Sequence, residues 1–152
     1  GNTEAYNYLK ALGHKIDDPI PSLFTFNDPS KILSELSGVS VPNAEVKIAG
    51  IKFSQTGPLL ITHWGISGPS VIKLSAWAAK ELYDKNHTCT ARVSWIGTGK
   101  EEEIRTILHN YKATNPKRTV FLYPLFDLPQ RLWTLLCQFA EIEEKKIWGE
   151  VG

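Results

Sequence analysis

Residues 57–82, GPLLITHWGISGPSVIKLSAWAAKEL, decide how the chain folds. Leu59, Leu60 and Ile61 form a short apolar run that ends in Thr62, His63 and Trp64. A run of that length and composition suits a buried strand. Two glycines and a proline then interrupt it at Gly65-Ile66-Ser67-Gly68-Pro69. Proline is well placed in the first turn of a helix, where no backbone N–H is needed and φ is already set. From Val71 the spacing of Val71, Ile72, Ser75, Ala79 and Leu82 becomes helical, and the small residues Ser75, Ala76, Ala78 and Ala79 permit close packing. The stretch therefore predicts a strand, a tight glycine turn and a helix over 69–83. Such a turn places free N–H groups at a helix start, with Ser67 as N-cap.

Working outward, an N-terminal helix is expected from Thr3, with Ala5, Tyr8, Leu9 and Leu12 on one stripe and Gly13 as its stop. Pro19 and Pro21 prevent its resumption. Residues 22–26 read as a strand apolar on both faces, and Ser30 opens a short helix carrying Ile32, Leu33 and Leu36. Val46, Ile48, Ile51 and Phe53 alternate with Lys47 and Lys52 around Ala49-Gly50. A two-residue turn there sets Ile48 opposite Ile51 and Val46 opposite Phe53. Ala91, Val93 and Trp95 give another strand, ended by the glycine turn at 97–99.

The last third is helical. Glu101, Glu102 and Glu103 suit a helix start, with Ile104, Ile107, Leu108 and Tyr111 as the apolar stripe. A second helix is expected behind an Asp127/Gln130 cap, with Leu132, Leu135, Leu136 and Phe139 inside. A third helix is expected near Glu143, leaving Ile147 and Trp148 unsupported. Strands and helices do not alternate regularly, so the class is α+β. The expected architecture is a small, mostly antiparallel, barrel-like sheet with one packed helix, followed by a small helical lobe. The expected division is 1–19 as helix and linker, 20–99 as the β-rich part, and 100–152 as the helical lobe.

Two further blocks accompany the central stretch: Leu12-Gly13-His14-Lys15-Ile16, running on to Pro19, Pro21 and Ser22-Leu23-Phe24, and Leu128-Pro129-Gln130-Arg131-Leu132. With LLITHWGISGPSVIKLS, these blocks resemble, in order, the inserted domain of a bacterial FAD-dependent oxidoreductase family called YhiN-like, BaiN-like or aminoacetone-oxidase-like. The resemblance implies a domain that covers the flavin cleft and shapes substrate access. It also implies that residues 1–19 belong to the junction with the flavin domain. The family's flavin-binding Gly-x-Gly-x-x-Gly turn is absent from this sequence. The expectation is thus a fragment that binds no cofactor and catalyses nothing alone, with FAD, and NAD(P)H as a further candidate, belonging to the parent protein. Its expected partners are the flavin-binding domain of the same chain and a small-molecule substrate. Exposed apolar stripes on terminal helices also suggest dimerisation through cut surfaces.

Candidate flavin- or substrate-facing residues are Thr62, His63, Trp64, Gly65, Ser67 and Gly68. The alternative is that Gly65 and Gly68 serve only turn geometry. Gly-x-Ser at 65–67 also invites a serine-hydrolase reading with Ser67 as nucleophile, weakened by Pro69 where that motif needs glycine. No residue is assigned a catalytic role. A stand-alone module that binds a small ligand or a protein is the remaining alternative. His14, His63, His87 and His109 are scattered, and no metal site is expected.

Composition agrees with an ordinary globular protein, at 152 residues with 42% hydrophobic and 22% charged residues. A formal net charge of +1 predicts no strong field for nucleic acid or an anionic membrane. No apolar run approaches the ~20 residues of a membrane span. Cys89 and Cys137 lie far apart, which suits free thiols in a reducing cytoplasm. The absence of methionine and the initial glycine suggest a piece cut from a longer protein with a one-residue cloning scar.

Overall fold

The computed structural model describes residues 3–152; Gly1, Asn2 and the expected Thr3 side-chain cap lie outside the described residues. Helix α1 (Thr3–Ala11) ends where Gly13 takes φ 88°, with the His14 N–H returning to the Leu9 carbonyl. Its stripe finds no cover: Tyr8 and Leu12 are 75% and 76% exposed.

Five strands make one curled antiparallel sheet: β1 (Phe26–Asn27), β2 (Ser40–Ile48), β3 (Ser54–Thr62), β4 (Gly65–Ser67) and β5 (Ala91–Ser94), ordered β1-β4-β3-β2-β5. The α+β class is as expected. A bulge separates the Val41–Leu59 pair from the Ala44–Gly57 pair. β2 advances three residues there while β3 advances two, so the inward positions change parity. This is why Val41 and then Ala44, Val46 and Ile48 are all buried.

The expected turn at Ala49-Gly50 closes, with the Ile51 N–H donating to the Ile48 carbonyl at 3.1 Å and Gly50 at φ 74°. The register beyond it differs. Val46 pairs with Gln55, not Phe53, and Lys47 pairs with Ser54. On its other edge β2 pairs with β5, Ile48 with Ala91, and the Ala49 N–H donates to the Thr90 carbonyl. Phe53 leaves the ladder and packs edge-on against Trp77.

The strand expected over 22–26 shrinks to Phe26–Asn27. Leu23 at φ 60° breaks the extension, and the Phe24 N–H is satisfied by the Ser75 hydroxyl at 2.9 Å instead of by a strand. The single helix expected over 69–83 is two: α2 (Pro69–Trp77) and α3 (Ala79–Asp84), divided at Ala78. The break lets Ala78, Ala79 and Leu82 all turn inward. Helix α2 lies against β2 and β3 and contributes Val71 and Leu74 to the core cluster that holds Val46, Leu59 and Ile61.

Helices α4 (Glu101–Thr114) and α5 (Gln130–Phe139) follow. Their inner faces are rotated from expectation: Ile107 and Phe139 are exposed, while Trp133 and Cys137 are buried beside Leu132. Helix α5 is capped at Pro129 and not by an Asp127/Gln130 box. Asp127 sits at φ 55°, and Gln130 Nε2 donates to the Phe121 carbonyl. No third α-helix forms near Glu143. Thr119 bridges Ile147, the Val120 N–H donates to the Lys146 carbonyl, and the Trp148 N–H donates to the Arg118 carbonyl. That pairing buries Trp148 against Tyr111 and Trp133, so it is supported after all.

Candidate functional site

The predicted glycine turn divides into three parts. His63 and Trp64 form the tip of the β3–β4 hairpin, Gly65–Ser67 is a strand, and Gly68 starts α2. Both tip side chains are exposed, Trp64 at 45%, and their rings meet edge to face with centroids 4.2 Å apart.

The tip's backbone is fixed from three sides. Buried Thr62 donates its hydroxyl to the Gly65 carbonyl at 3.1 Å. The Asp28 N–H donates to the Trp64 carbonyl at 2.7 Å. Gly65 lies so close to β1 that a Cβ there would stand 2.1 Å from the Phe26 carbonyl oxygen. Two exposed aromatic rings are thus carried on a rigid mount, an arrangement suited to stacking on a planar group.

Gly68 adopts φ 103°, and a Cβ there would approach the Pro58 carbonyl at 2.8 Å. Both glycines are therefore required for backbone contact, quite apart from any ligand. The helix start does not open to solvent as expected. Ser70 and Val71 are 1% and 0% exposed, and the Ser70 hydroxyl donates to the Pro58 carbonyl. Packing of α2 onto β3 closes the approach an anion would need.

Ser67 is half-buried, pairs with Leu60 as the last residue of β4, and is not the N-cap, which is Gly68. Among the described residues no histidine or carboxylate hydrogen-bonds to it, and the sharp strand-to-helix elbow is not at its position. No group of three His, Cys, Asp or Glu side chains among the described residues could hold a metal ion.

The sequence did not foretell a cleft of about 830 Å³ where the curled sheet stays open between β1 and β5. Phe24, Phe26, Ile66, Leu82 and Val93 supply its walls, with Asp28, His87 and Cys89 among its polar and thiol groups. The Ser30 hydroxyl and neighbouring N–H groups hold the Asp28 carboxyl below its usual range. Burial pushes the Cys89 thiol up, against a smaller opposing pull from Lys85. Asp28 joins this cleft to the hairpin tip through its bond to Trp64, although His63 and Trp64 do not line it. No local signal marks the cleft, because its walls come from distant segments; the two-sided apolarity of Phe24 and Phe26 was the nearest hint.

Taken together, an open antiparallel half-barrel, a packed helix and an appended helical pair define a small α+β domain. The sequence pattern of the HI0933-like protein barrel and H2TH domain matches residues 20–151, and the chain belongs to that family of FAD-dependent oxidoreductases. It is 29% identical over 145 residues to a ribosomal RNA dihydrouridine synthase of Haemophilus influenzae, covering 93% of this chain and 33% of that protein. It is 25% identical over 146 residues to a 3-dehydro-bile acid delta(4,6)-reductase of Clostridium scindens, covering 91% and 34% respectively. The ribosomal RNA dihydrouridine synthase of Escherichia coli is 28% identical over 123 residues, covering 80% and 28%. The chain thus spans about a third of the length of these curated relatives.

The sequence has no Gly-x-Gly-x-x-Gly turn, and the strand pairings among the described residues are all antiparallel, where that motif needs a parallel β-α-β unit.

Proposed function

We propose that this chain is the substrate-side domain of a flavin-dependent reductase, seated over a flavin held by other parts of the parent protein. Its 62–68 turn faces the reacting ring and presents His63 and Trp64. The braced, solvent-exposed aromatic tip carries this reading. The Trp64 indole takes no part in the chain's own core cluster, and a half-exposed ring on a braced hairpin is suited to stacking on a planar ring. The uncovered stripe of α1, Tyr8 and Leu12 above all, would meet the flavin domain, and 1–19 would form the junction. The parts 20–99 and 100–152 would then make up the insert.

The relatives' names share one chemistry. Forming dihydrouridine, and reducing a 4,6-unsaturated bile acid, both saturate a carbon–carbon double bond in a ring. The parent's substrate class is then an unsaturated ring compound. The chain's part is to exclude water and orient that ring. The two free cysteines fit a reducing, cytoplasmic setting.

The test is Trp64→Ala in the full-length parent protein. Bound FAD per protein should stay unchanged, while oxidation of the reduced flavin by oxygen accelerates and substrate reduction slows. Unchanged values for both rates would refute the placement of the tip.

A further inference from the structure

We propose that the open seam between β1 and β5 accepts one extended strand from another part of the parent protein, which runs antiparallel to both edges and closes the five-stranded sheet into a barrel. The inference rests on the reading of this chain as one domain of a longer protein, and not on where the hairpin tip faces.

The alternation of the backbone carries it. The Asp28 N–H donates to the Trp64 carbonyl, so within β1 the residue bonded to β4 is Phe26, opposite Ile66. Asn27 therefore turns its N–H and carbonyl away from β4. The Ala49 N–H donates to the Thr90 carbonyl, which makes Arg92, opposite Lys47, a residue bonded to β2. Ala91 and Val93 then turn their N–H and carbonyl groups away from β2. Asn27, Ala91 and Val93 all line the seam and Arg92 does not, and among the described residues no backbone hydrogen bond joins the two edges. Two rows of unpaired donors and acceptors thus border one cleft, the arrangement that recruits an added strand.

Topology fixes the number of strands and their direction. All four pairings are antiparallel, so β1 and β5, at the two ends of the order, run the same way. Joined to each other they would be parallel, whereas a single strand running the opposite way gives antiparallel pairing on both sides. The volume agrees. With roughly 3.3 Å of rise, 4.8 Å between strands and 10 Å between packed sheets for each strand residue, a cleft of about 830 Å³ holds about five residues. β5 itself has four. Phe26, Ile66, Leu82 and Val93 favour Val, Ile or Phe at every second position of the insert. Asp28 directly follows β1, and an antiparallel insert begins at that end. A lysine or arginine at its amino end therefore meets the one carboxylate among the described lining residues.

Amide hydrogen exchange, read residue by residue in this chain and in the full-length parent protein, tests the proposal. In this chain Asn27, Ala91 and Val93 should exchange freely while Phe26 and Arg92 stay protected. In the parent all five should be protected, the first three slowed roughly hundredfold. Ala91→Pro deletes one outward N–H at the first position of an edge strand, where proline is tolerated, so the urea midpoint of this chain should stay nearly unchanged. In the parent the same substitution should restore fast exchange at Asn27, on the opposite edge of the seam. The proposal is overturned if the three amides exchange as fast in the parent as in this chain, or if they are already protected in this chain. It is equally overturned if Asn27 stays protected in the parent carrying Ala91→Pro, which is the mark of a cover that is not a strand. None of these outcomes alters the flavin oxidation rates read with Trp64→Ala, so the two readings fail separately.

Discussion

Gly65→Ala tests the packing on which the hairpin tip depends. The added Cβ would lie 2.1 Å from the Phe26 carbonyl oxygen, 2.7 Å from the Asp28 nitrogen and 3.0 Å from the Asn27 Cα, all of them backbone atoms. No side chain can swing aside, so β1 must separate from β4. Separation breaks the Phe26–Ile66 and Asn27–Gly65 pairing and the Asp28–Trp64 hydrogen bond. Two or three such bonds at about 1 kcal/mol each, with about 1–2 kcal/mol for a non-glycine residue at φ 153°, give a loss of roughly 3–5 kcal/mol. For a domain of this size that lowers Tm by roughly 6–20 °C.

Gly13→Ala is the control: φ is 88°, but nothing lies within 4 Å of the added Cβ, so only the conformational term of about 1 kcal/mol remains. Urea unfolding followed by circular dichroism measures both variants, and amide exchange at Asp28 shows whether β1 has come away. If Gly65→Ala loses no more stability than Gly13→Ala, the close approach of β1 and β4 is not what holds the tip, and the argument for its rigidity fails.

Ser75→Ala should cost about 1–3 kcal/mol in urea unfolding, because the half-buried Phe24 N–H loses its acceptor, the hydroxyl of the fully buried Ser75. Trp133→Phe should destabilise by about 1 kcal/mol more than Trp148→Phe. Trp133 Nε1 donates to the Val120 carbonyl at 2.7 Å, whereas Trp148 Nε1 is buried with no partner among the described residues. Cys89 should alkylate with a pH midpoint above the ordinary thiol value of 9.0, since burial disfavours its thiolate. A raised thiol pKa also means that this group's contribution to folding is complete below 9.0 and falls as pH rises through the folded value. A midpoint at or below 9.0 would show that the seam is wetter than its walls suggest.

The central stretch was legible because its signals are local. Residues 59–62 are apolar enough to be a strand in any antiparallel setting, and Pro69 can begin a helix with no partner to instruct it. Gly13 likewise stops α1 using only its own dihedral freedom. The candidates Thr62, His63, Trp64, Gly65 and Gly68 were all picked from this stretch. What local pattern could not assign was division of labour: which residues make the tip, which the strand, and which the helix cap.

The sequence alone determined the α+β class, the expected turn at Ala49-Gly50 and the motif blocks that carry the family resemblance. Only the tertiary structure decided the β2–β3 register, in which Val46 pairs with Gln55 and Phe53 leaves the ladder to pack on Trp77. It likewise decided the burial of Trp148 and the cleft between β1 and β5. Those features depend on groups brought together from distant segments, the Ser75 hydroxyl under the Phe24 N–H or the Arg118 carbonyl under the Trp148 N–H. Periodicity reports the face a segment offers, but a hydrogen-bond partner or an unfilled seam exists only once the chain has closed on itself.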